Sequence, residues 1–99
     1  MTLRDKINAA ADKAGLNSGR DVNRNAFLLL AYSMVECGSL SLPYGSLAIL
    51  SEVLRERTGH ATPTGSLRWY RVQMMKDTKM VAKIVTLPEG LQTLVSAGQ

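Results

Sequence analysis

Residues 26–37, AFLLLAYSMVEC, constrain the fold more than any other part of this chain. The segment is apolar on nearly every side at helical spacing, and such a helix has to be enclosed by other elements. Asp21 or Asn23 is placed to cap its start, and Gly38 is placed to end it. We therefore expect this helix to form the centre of the core. The side chains expected to be buried on it are Phe27, Leu30, Met34 and Cys37.

Shorter amphipathic segments on either side predict that the rest of the chain is also helical. The segments concerned are residues 2–14, 46–57 and 62–77, and a short last helix from Pro88. The expected N-terminal capping residues are Thr2, paired with Asp5 in a capping box, and Ser46. A chain of 99 residues can bury roughly two thirds of its unfolded surface. We predict one compact, mainly α domain over residues 1–99, with four to five helices.

Residues 79–87 allow two interpretations. Val81, Ile84 and Val85 fit a helix that continues past Asp77, but a β-branched cluster also suits a strand. In a winged-helix arrangement that strand would form a short β wing. The pattern leaves both alternatives open.

Residues 62–77, TPTGSLRWYRVQMMKD, predict a helix with two different faces. Thr62 can cap free amides, and Pro63 suits the first helical position because it lacks the donor that would be unpaired there. The stripe expected to be buried is formed by Leu67, Tyr70 and Met74. The neighbouring stripe, about 100° round the axis, holds Arg68, Arg71 and Met75. With the preceding amphipathic helix and the turn at Gly59, the segment matches a helix-turn-helix pattern.

The positive charge of the chain is concentrated in the same region. Residues 1–54 carry five basic and five acidic side chains, whereas residues 55–83 carry seven basic and two acidic ones, a net charge of +5. Glu89 is the only charged residue that follows, which gives the overall net charge of +4. This excess predicts a polyanionic partner, and the alternative is a basic surface that is simply solvated.

Residues 61–77, ATPTGSLRWYRVQMMKD, resemble the recognition-helix region of small helix-turn-helix domains of phage and bacterial proteins. In those domains a Thr-Pro start is followed by an apolar residue, a Trp-Tyr pair and a basic run. Gly65 and the Met-Met pair depart from the pattern, where a better helix former and a more basic end are usual. The resemblance implies packing roles for Trp69 and Tyr70. The residues that it directs toward nucleic acid are Thr64, Ser66, Arg68 and Arg71.

The first hypothesis for the function is a small DNA-binding protein, a transcriptional regulator of the phage or bacterial type. Its partner would be double-stranded DNA, with base edges contacted by the four residues just named. The residues expected to hold backbone phosphates are Lys76, Lys79 and Lys83. Such proteins usually dimerise, and the apolar first or last helix would supply a homodimer interface.

The second hypothesis is a protein-interaction module, such as a phage-encoded inhibitor that binds a host protein. Helix-turn-helix scaffolds serve functions other than DNA binding, so the fold does not decide between the two. The residues of a candidate anchor patch are Trp69, Met74, Met75 and Met80. An exposed Trp–Met patch would favour a protein partner, whereas a flat arginine–lysine face would favour DNA.

The ionisable and nucleophilic side chains predict no enzymatic activity, metal site or cofactor. His60 is the single histidine and Cys37 the single cysteine, so neither has a metal-ligating or catalytic neighbour of its kind. A lone cysteine fits a reduced, cytoplasmic setting. The longest apolar run, residues 26–32, is far short of the ~20 residues that cross a bilayer, so no membrane association is expected.

Overall fold

Residues 1–18 and 21–97 are described by a computed structural model, and all regular structure in them is helical. The helices are α1 (Leu3–Ala14), α2 (Val22–Cys37), α3 (Ser46–Thr58), α4 (Thr64–Lys76), α5 (Thr78–Ile84) and α6 (Glu89–Ala97). The expectation of a mainly α, compact chain is confirmed. The expected count of four to five helices is wrong, because the described residues form six.

Helix α2 lies at the centre of this arrangement and packs against α1, α3, α4 and α6. Phe27, Leu30 and Met34 are buried, as the apolar pattern predicts. Cys37 was expected to be buried with them but is only half-buried. It is the last residue of α2, which ends at Gly38 with a φ of 68°. Glycine adopts this left-handed conformation without the steric cost that a Cβ adds.

The N-terminal caps agree with the sequence pattern at one helix and differ at another. In α1 the capping box between Thr2 and Asp5 is present, with the Asp5 N–H donating to Thr2 Oγ1 at 3.1 Å. The prediction that Ser46 caps α3 is wrong, because Gly45 occupies that position. Ser46 lies inside the helix, and its hydroxyl donates to the Pro43 carbonyl at 2.5 Å. The hydroxyl therefore closes the preceding turn instead of capping the helix.

Helix α4 begins one residue later than the Thr-Pro signal predicts. Pro63 is at the N-cap with a ψ of 151°, outside the helix, and Thr64 is the first helical residue. Thr62, the expected cap, is buried in the turn before it. Because α4 has no side-chain cap, its start is held by packing and by the turn that precedes it.

The turn between α3 and α4 is fixed by Thr58 and Gly59. The buried Thr58 hydroxyl donates to the Leu54 carbonyl at 2.6 Å, and the same oxygen accepts the His60 N–H at 3.3 Å. Gly59 has a φ of 82° and donates its N–H to the Arg55 carbonyl at 3.0 Å. These bonds end α3 and set the direction in which the chain enters α4.

Residues 78–84 form neither an extension of α4 nor a strand. They form a separate helix, α5, because Asp77 has a φ of −144° and a ψ of 73°, which interrupts the helical path. The Asp77 side chain accepts the Met80 N–H at 3.1 Å and caps the new helix. Val81 and Val85 are buried, so the β-branched residues pack one helical turn apart against the core. The β wing considered for residues 79–87 is absent from the described structure.

We expect Asp77→Ala to lower the free energy of unfolding by about 1 kcal/mol, since alanine cannot accept the N–H that Asp77 binds. Denaturant melts of the purified protein measure this loss. Asp77→Asn is the matched control, because asparagine caps about as well as aspartate and should preserve most of the stability. An unchanged midpoint for Asp77→Ala would show that α5 does not depend on this cap.

Candidate interaction surface on α4 and α5

The buried side of α4 is formed by the stripe that the sequence predicts. Leu67 and Met74 are buried, and Tyr70 is half-buried. The Tyr70 ring meets Phe27 of α2 edge to face with 5.0 Å between centroids, and its hydroxyl donates to Asn23 Oδ1. These contacts fix the rotation of α4 about its axis, and therefore which residues face outward.

The outward side of α4 carries a stripe of large apolar residues, Trp69, Val72 and Met75, which we call the α4 stripe. Their side chains are 56%, 49% and 41% exposed. They are three residues apart, so they fall within about 120° of the helix circumference. The packing role that the resemblance implies for Trp69 is therefore wrong. Its ring contacts Tyr70 edge to face, with 5.2 Å between centroids, while more than half of the side chain is open to solvent.

Helix α5 continues this apolar exposure. Met80 and Ile84 are one turn apart and are 40% and 53% exposed. Five of the seven large apolar side chains exposed in the described residues therefore lie on two consecutive helices. The other two are Met1 and Tyr44. Of the anchor residues proposed from the sequence, Met74 is buried in the core and does not belong to this surface.

The cations of α4 and α5 form no ion pairs within the part of the chain that the structure describes. The ion pairs found there are Arg4–Glu52, Lys13–Glu36 and Arg57–Asp12. Each joins α1 to α2 or α3, and these three helices together carry six basic and five acidic side chains. The unpaired cations of α4 and α5 are Arg68, Arg71, Lys76, Lys79 and Lys83.

The structure brings together three of the four residues that were expected to contact bases. Thr64, Arg68 and Arg71 lie at i, i+4 and i+7 along one side of α4, and together they line a cleft. Ser66 is exposed but lies about 160° round the axis from Arg68, so it does not share that side. Arg71 is half-buried, and its Nη2 donates to the Leu40 carbonyl at 3.2 Å.

The lysines expected to hold phosphates lie at the end of α4 and on α5. Lys76 is the last residue of α4 and lies nearly in line with Trp69, two turns away. Lys79 and Lys83 are one turn apart on α5, and all three side chains are exposed. They therefore border the exposed apolar side chains rather than the cleft.

The cleft lies between the loop that follows α2 and the side of α4 that carries the two arginines. Its volume is about 640 Å³, and residues 41–48 line the wall opposite α4. Tyr44 stands at its edge and is fully exposed. Sequence analysis missed this residue, although a tyrosine between proline and glycine in a predicted turn is a signal of exposure.

The side chains capable of metal binding or nucleophilic chemistry are dispersed. Within residues 1–18 and 21–97, no three His, Cys, Asp or Glu side chains are grouped as a metal ion would need. Burial raises the pKa of the Cys37 thiol, which keeps it protonated at neutral pH and lowers its reactivity. None of the helices described is both long and apolar enough to cross a bilayer.

Comparison with known proteins gives no further assignment, since no family model, curated protein or solved structure matches this chain at a significant level.

Proposed function

We propose that this protein is an interaction module that binds an acidic surface of a partner protein through α4 and α5. The observation that supports this proposal most directly is the exposed α4 stripe. Exposed apolar side chains grouped on one face of a small protein mark an interaction site, whereas single ones are ordinary. Tryptophan and methionine are enriched in protein interfaces, and a central aromatic residue often supplies much of the binding energy.

The unpaired cations specify the kind of partner. Lys76, Lys79 and Lys83 border the exposed apolar side chains, and no carboxylate of residues 1–18 and 21–97 pairs with them. A partner with an apolar pocket rimmed by Asp and Glu would complement both features, and opposite charges would also speed the encounter. A second copy of this chain fits poorly, because the same cations would meet across a symmetric interface.

Capture of partners from a lysate of the native host tests the proposal. The expected result is a stoichiometric protein with an acidic surface that stays bound after nuclease treatment. It should be released as salt rises from about 0.1 M to about 1 M, since the Debye length then falls from about 10 Å to about 3 Å. Loss of all bound protein with nuclease would contradict the proposal and support a nucleic-acid partner.

Charge variants make that experiment specific to the proposed surface. Lys79→Glu should weaken capture severalfold, because it places a like charge against the acidic partner. The matched control is Arg55→Glu, which reverses an exposed cation on α3, outside the two helices of the proposed surface. Equal loss in both variants would indicate general electrostatic attraction instead of a defined site.

Double-stranded DNA is the second candidate partner. It is favoured by the side of α4 that groups Thr64, Arg68 and Arg71, and by α3, the turn and α4 as a helix-turn-helix. In this alternative the protein is a transcriptional regulator of the phage or bacterial type. DNA ranks second because Val72 and Met75 offer base edges no hydrogen-bond donor and Ser66 lies off the required side.

If DNA is the partner, affinity should fall steeply with salt. With roughly four to six phosphate contacts, the log–log slope should lie near −4 to −5, because condensed counterions are released. Fluorescence anisotropy with labelled duplexes over a salt series measures the slope. A flat dependence would remove DNA as a candidate.

Substitutions then separate base recognition from phosphate contact. Arg68→Ala or Arg71→Ala should cost about 1–3 kcal/mol on a cognate site and little on random DNA. Lys79→Ala and Lys83→Ala should weaken binding to the cognate site and to random DNA equally. Each should lower the log–log slope of affinity against salt by about one. If all four substitutions weaken binding to the two DNAs alike, α4 does not recognise base sequence.

Two further attributes belong to the same proposal. We place the protein in the cytoplasm, in agreement with a protonated, unpaired Cys37 thiol. We assign it no catalytic activity. For a homodimer, α6 is the better of the two helices suggested by sequence, because the apolar residues of α1 are buried inside the chain. On α6, Leu94 and Val95 are half-buried.

A further inference from the structure

The cleft between residues 41–48 and α4 has a wall built from cationic and hydroxyl side chains. Thr64, Arg68 and Arg71 follow one another along α4 and all line it. The bond from Arg71 Nη2 to the Leu40 carbonyl holds one edge of that guanidinium against the loop. A guanidinium has five N–H donors, so Arg71 keeps several for a ligand. Arg68, one turn earlier, is exposed and free to turn toward the same ligand.

The opposite wall is mainly apolar, with Ser41 and Ser46 as its polar side chains, and carries no acidic residue. Leu42, Pro43 and the Tyr44 ring line it, and residues 37–51 contain no Asp or Glu. The ionisable side chains that line the cleft are therefore two arginines and one tyrosine. Among the described residues no carboxylate lines the cleft or pairs with either arginine, so the field in the cleft favours an anion.

We propose that this cleft binds a phosphate monoester, with the phosphate on Arg68 and Arg71 and the organic group against Leu42, Pro43 and Tyr44. Paired guanidinium groups match a phosphate because each can donate two parallel hydrogen bonds to its oxygens. The Thr64 hydroxyl adds a donor on the same wall. A cleft of about 640 Å³ is several times larger than a phosphate ion needs. Its mainly apolar wall offers a contact surface for the organic group of the ester.

This site differs from the partner surface of the proposed function. The α4 stripe and the lysines of α5 do not line the cleft, although Met75 lies within about 20° of Arg68 round the helix axis, two turns further along α4. The proposed ligand is therefore a small molecule that binds independently of the acidic partner protein.

Three small molecules, which differ in whether they carry a phosphate and an aromatic ring, test the site. Their binding is measured by NMR titration of the full-length protein at constant ionic strength. Phenyl phosphate should bind tightest, because it offers both the dianion and an aromatic ring. Inorganic phosphate should bind more weakly, and phenol should not bind measurably. Equal affinity for phenyl phosphate and phenol would overturn the proposal, as would the absence of binding by phenyl phosphate.

Variants then assign the binding to the arginines. Arg68→Gln and Arg71→Gln should each lower the affinity for phenyl phosphate about tenfold or more, as expected for the loss of a charge-assisted hydrogen bond. The control Lys83→Gln removes a cation outside the cleft and should change the affinity less than twofold. An equal loss in Lys83→Gln would overturn the proposal. Arg68→Gln decides the result if Arg71→Gln disturbs the loop, because Arg68 makes no bond within the described chain.

Trp69→Ala separates this proposal from the proposed function. It removes the centre of the partner surface and leaves the cleft walls intact, so phenyl phosphate should bind the variant with unchanged affinity. A loss of phosphate binding in Trp69→Ala would show that the cleft is not the site.

Discussion

Leu30→Ala is expected to lower the free energy of unfolding by about 2–5 kcal/mol. Leu30 lies in the middle of α2 and has no exposed surface. The helix is enclosed by α1, α3, α4 and α6, so the space left by the three missing heavy atoms cannot be filled by a shift of one neighbour. The substitution therefore loses the transfer free energy of the side chain and leaves a cavity.

Chemical denaturation with the wild type and the variant measures this loss. Leu94→Ala is the matched control, because Leu94 is half-buried on α6 near the end of the described chain. It should cost clearly less than Leu30→Ala, since its site is open to solvent on one side and can relax. A loss under about 1 kcal/mol for Leu30→Ala would contradict the assignment of α2 as the centre of the core.

The role of α2 was predictable because its composition allows one solution. A helix that is apolar on all sides can avoid water only when others cover it, whatever the order in which they do so. The buried stripe of α4 was predictable for a similar reason. Leu67, Tyr70 and Met74 share a face at helical spacing, and the structure directs that face toward α2.

The separate helix α5 was not predictable from local pattern. Residues 78–87 combine β-branched residues, which favour a strand, with spacing that also fits a helix. The outcome depends on Asp77, whose side chain caps α5, and on the burial of Val81 and Val85. Burial depends on where the other helices lie, and a single segment does not contain that information.

The position of Trp69 shows the same limit at the candidate site. Trp69 and Tyr70 are about 100° apart on the helix, and either ring could be turned toward the core. Contacts of Tyr70 with Phe27 and Asn23 settle the rotation and expose Trp69. The cleft could not be predicted from the sequence either, because it forms only when the loop after α2 folds back and the Leu40 carbonyl accepts a hydrogen bond from Arg71. That contact joins residues 31 positions apart.

Charge was predictable as a total but not as a pattern of pairing. The sequence places an excess of +5 in residues 55–83. The structure shows that Arg57 joins α1 through Asp12 at 2.6 Å, whereas the cations of α4 and α5 have no such partner in the described residues. Unpaired charge beside exposed apolar side chains is what distinguishes a binding surface from a merely solvated one.

Trp69→Ala is expected to weaken binding of the acidic partner protein by at least about 2 kcal/mol, or about 30-fold. Trp69 is the largest side chain of the α4 stripe and is 56% exposed, so a partner can bury most of its free surface. Lys76 lies on the same line of the helix and would meet a carboxylate at the rim of the pocket that receives the ring. Rim charges of this kind contribute less to affinity than the desolvated aromatic centre.

Isothermal titration calorimetry with the captured partner measures the loss. Tyr44→Ala is the matched control, because Tyr44 is also an exposed aromatic residue but lies on the loop before α3. It should bind the partner with nearly unchanged affinity. Trp69→Ala itself should keep its unfolding midpoint close to that of the wild type, since more than half of the side chain is exposed and its aromatic contact is with Tyr70. If both aromatic variants bind as tightly as the wild type, the partner does not use the α4 stripe. If Trp69→Ala unfolds at markedly lower denaturant concentration, the ring contributes to the fold, and its exposure does not mark an interface.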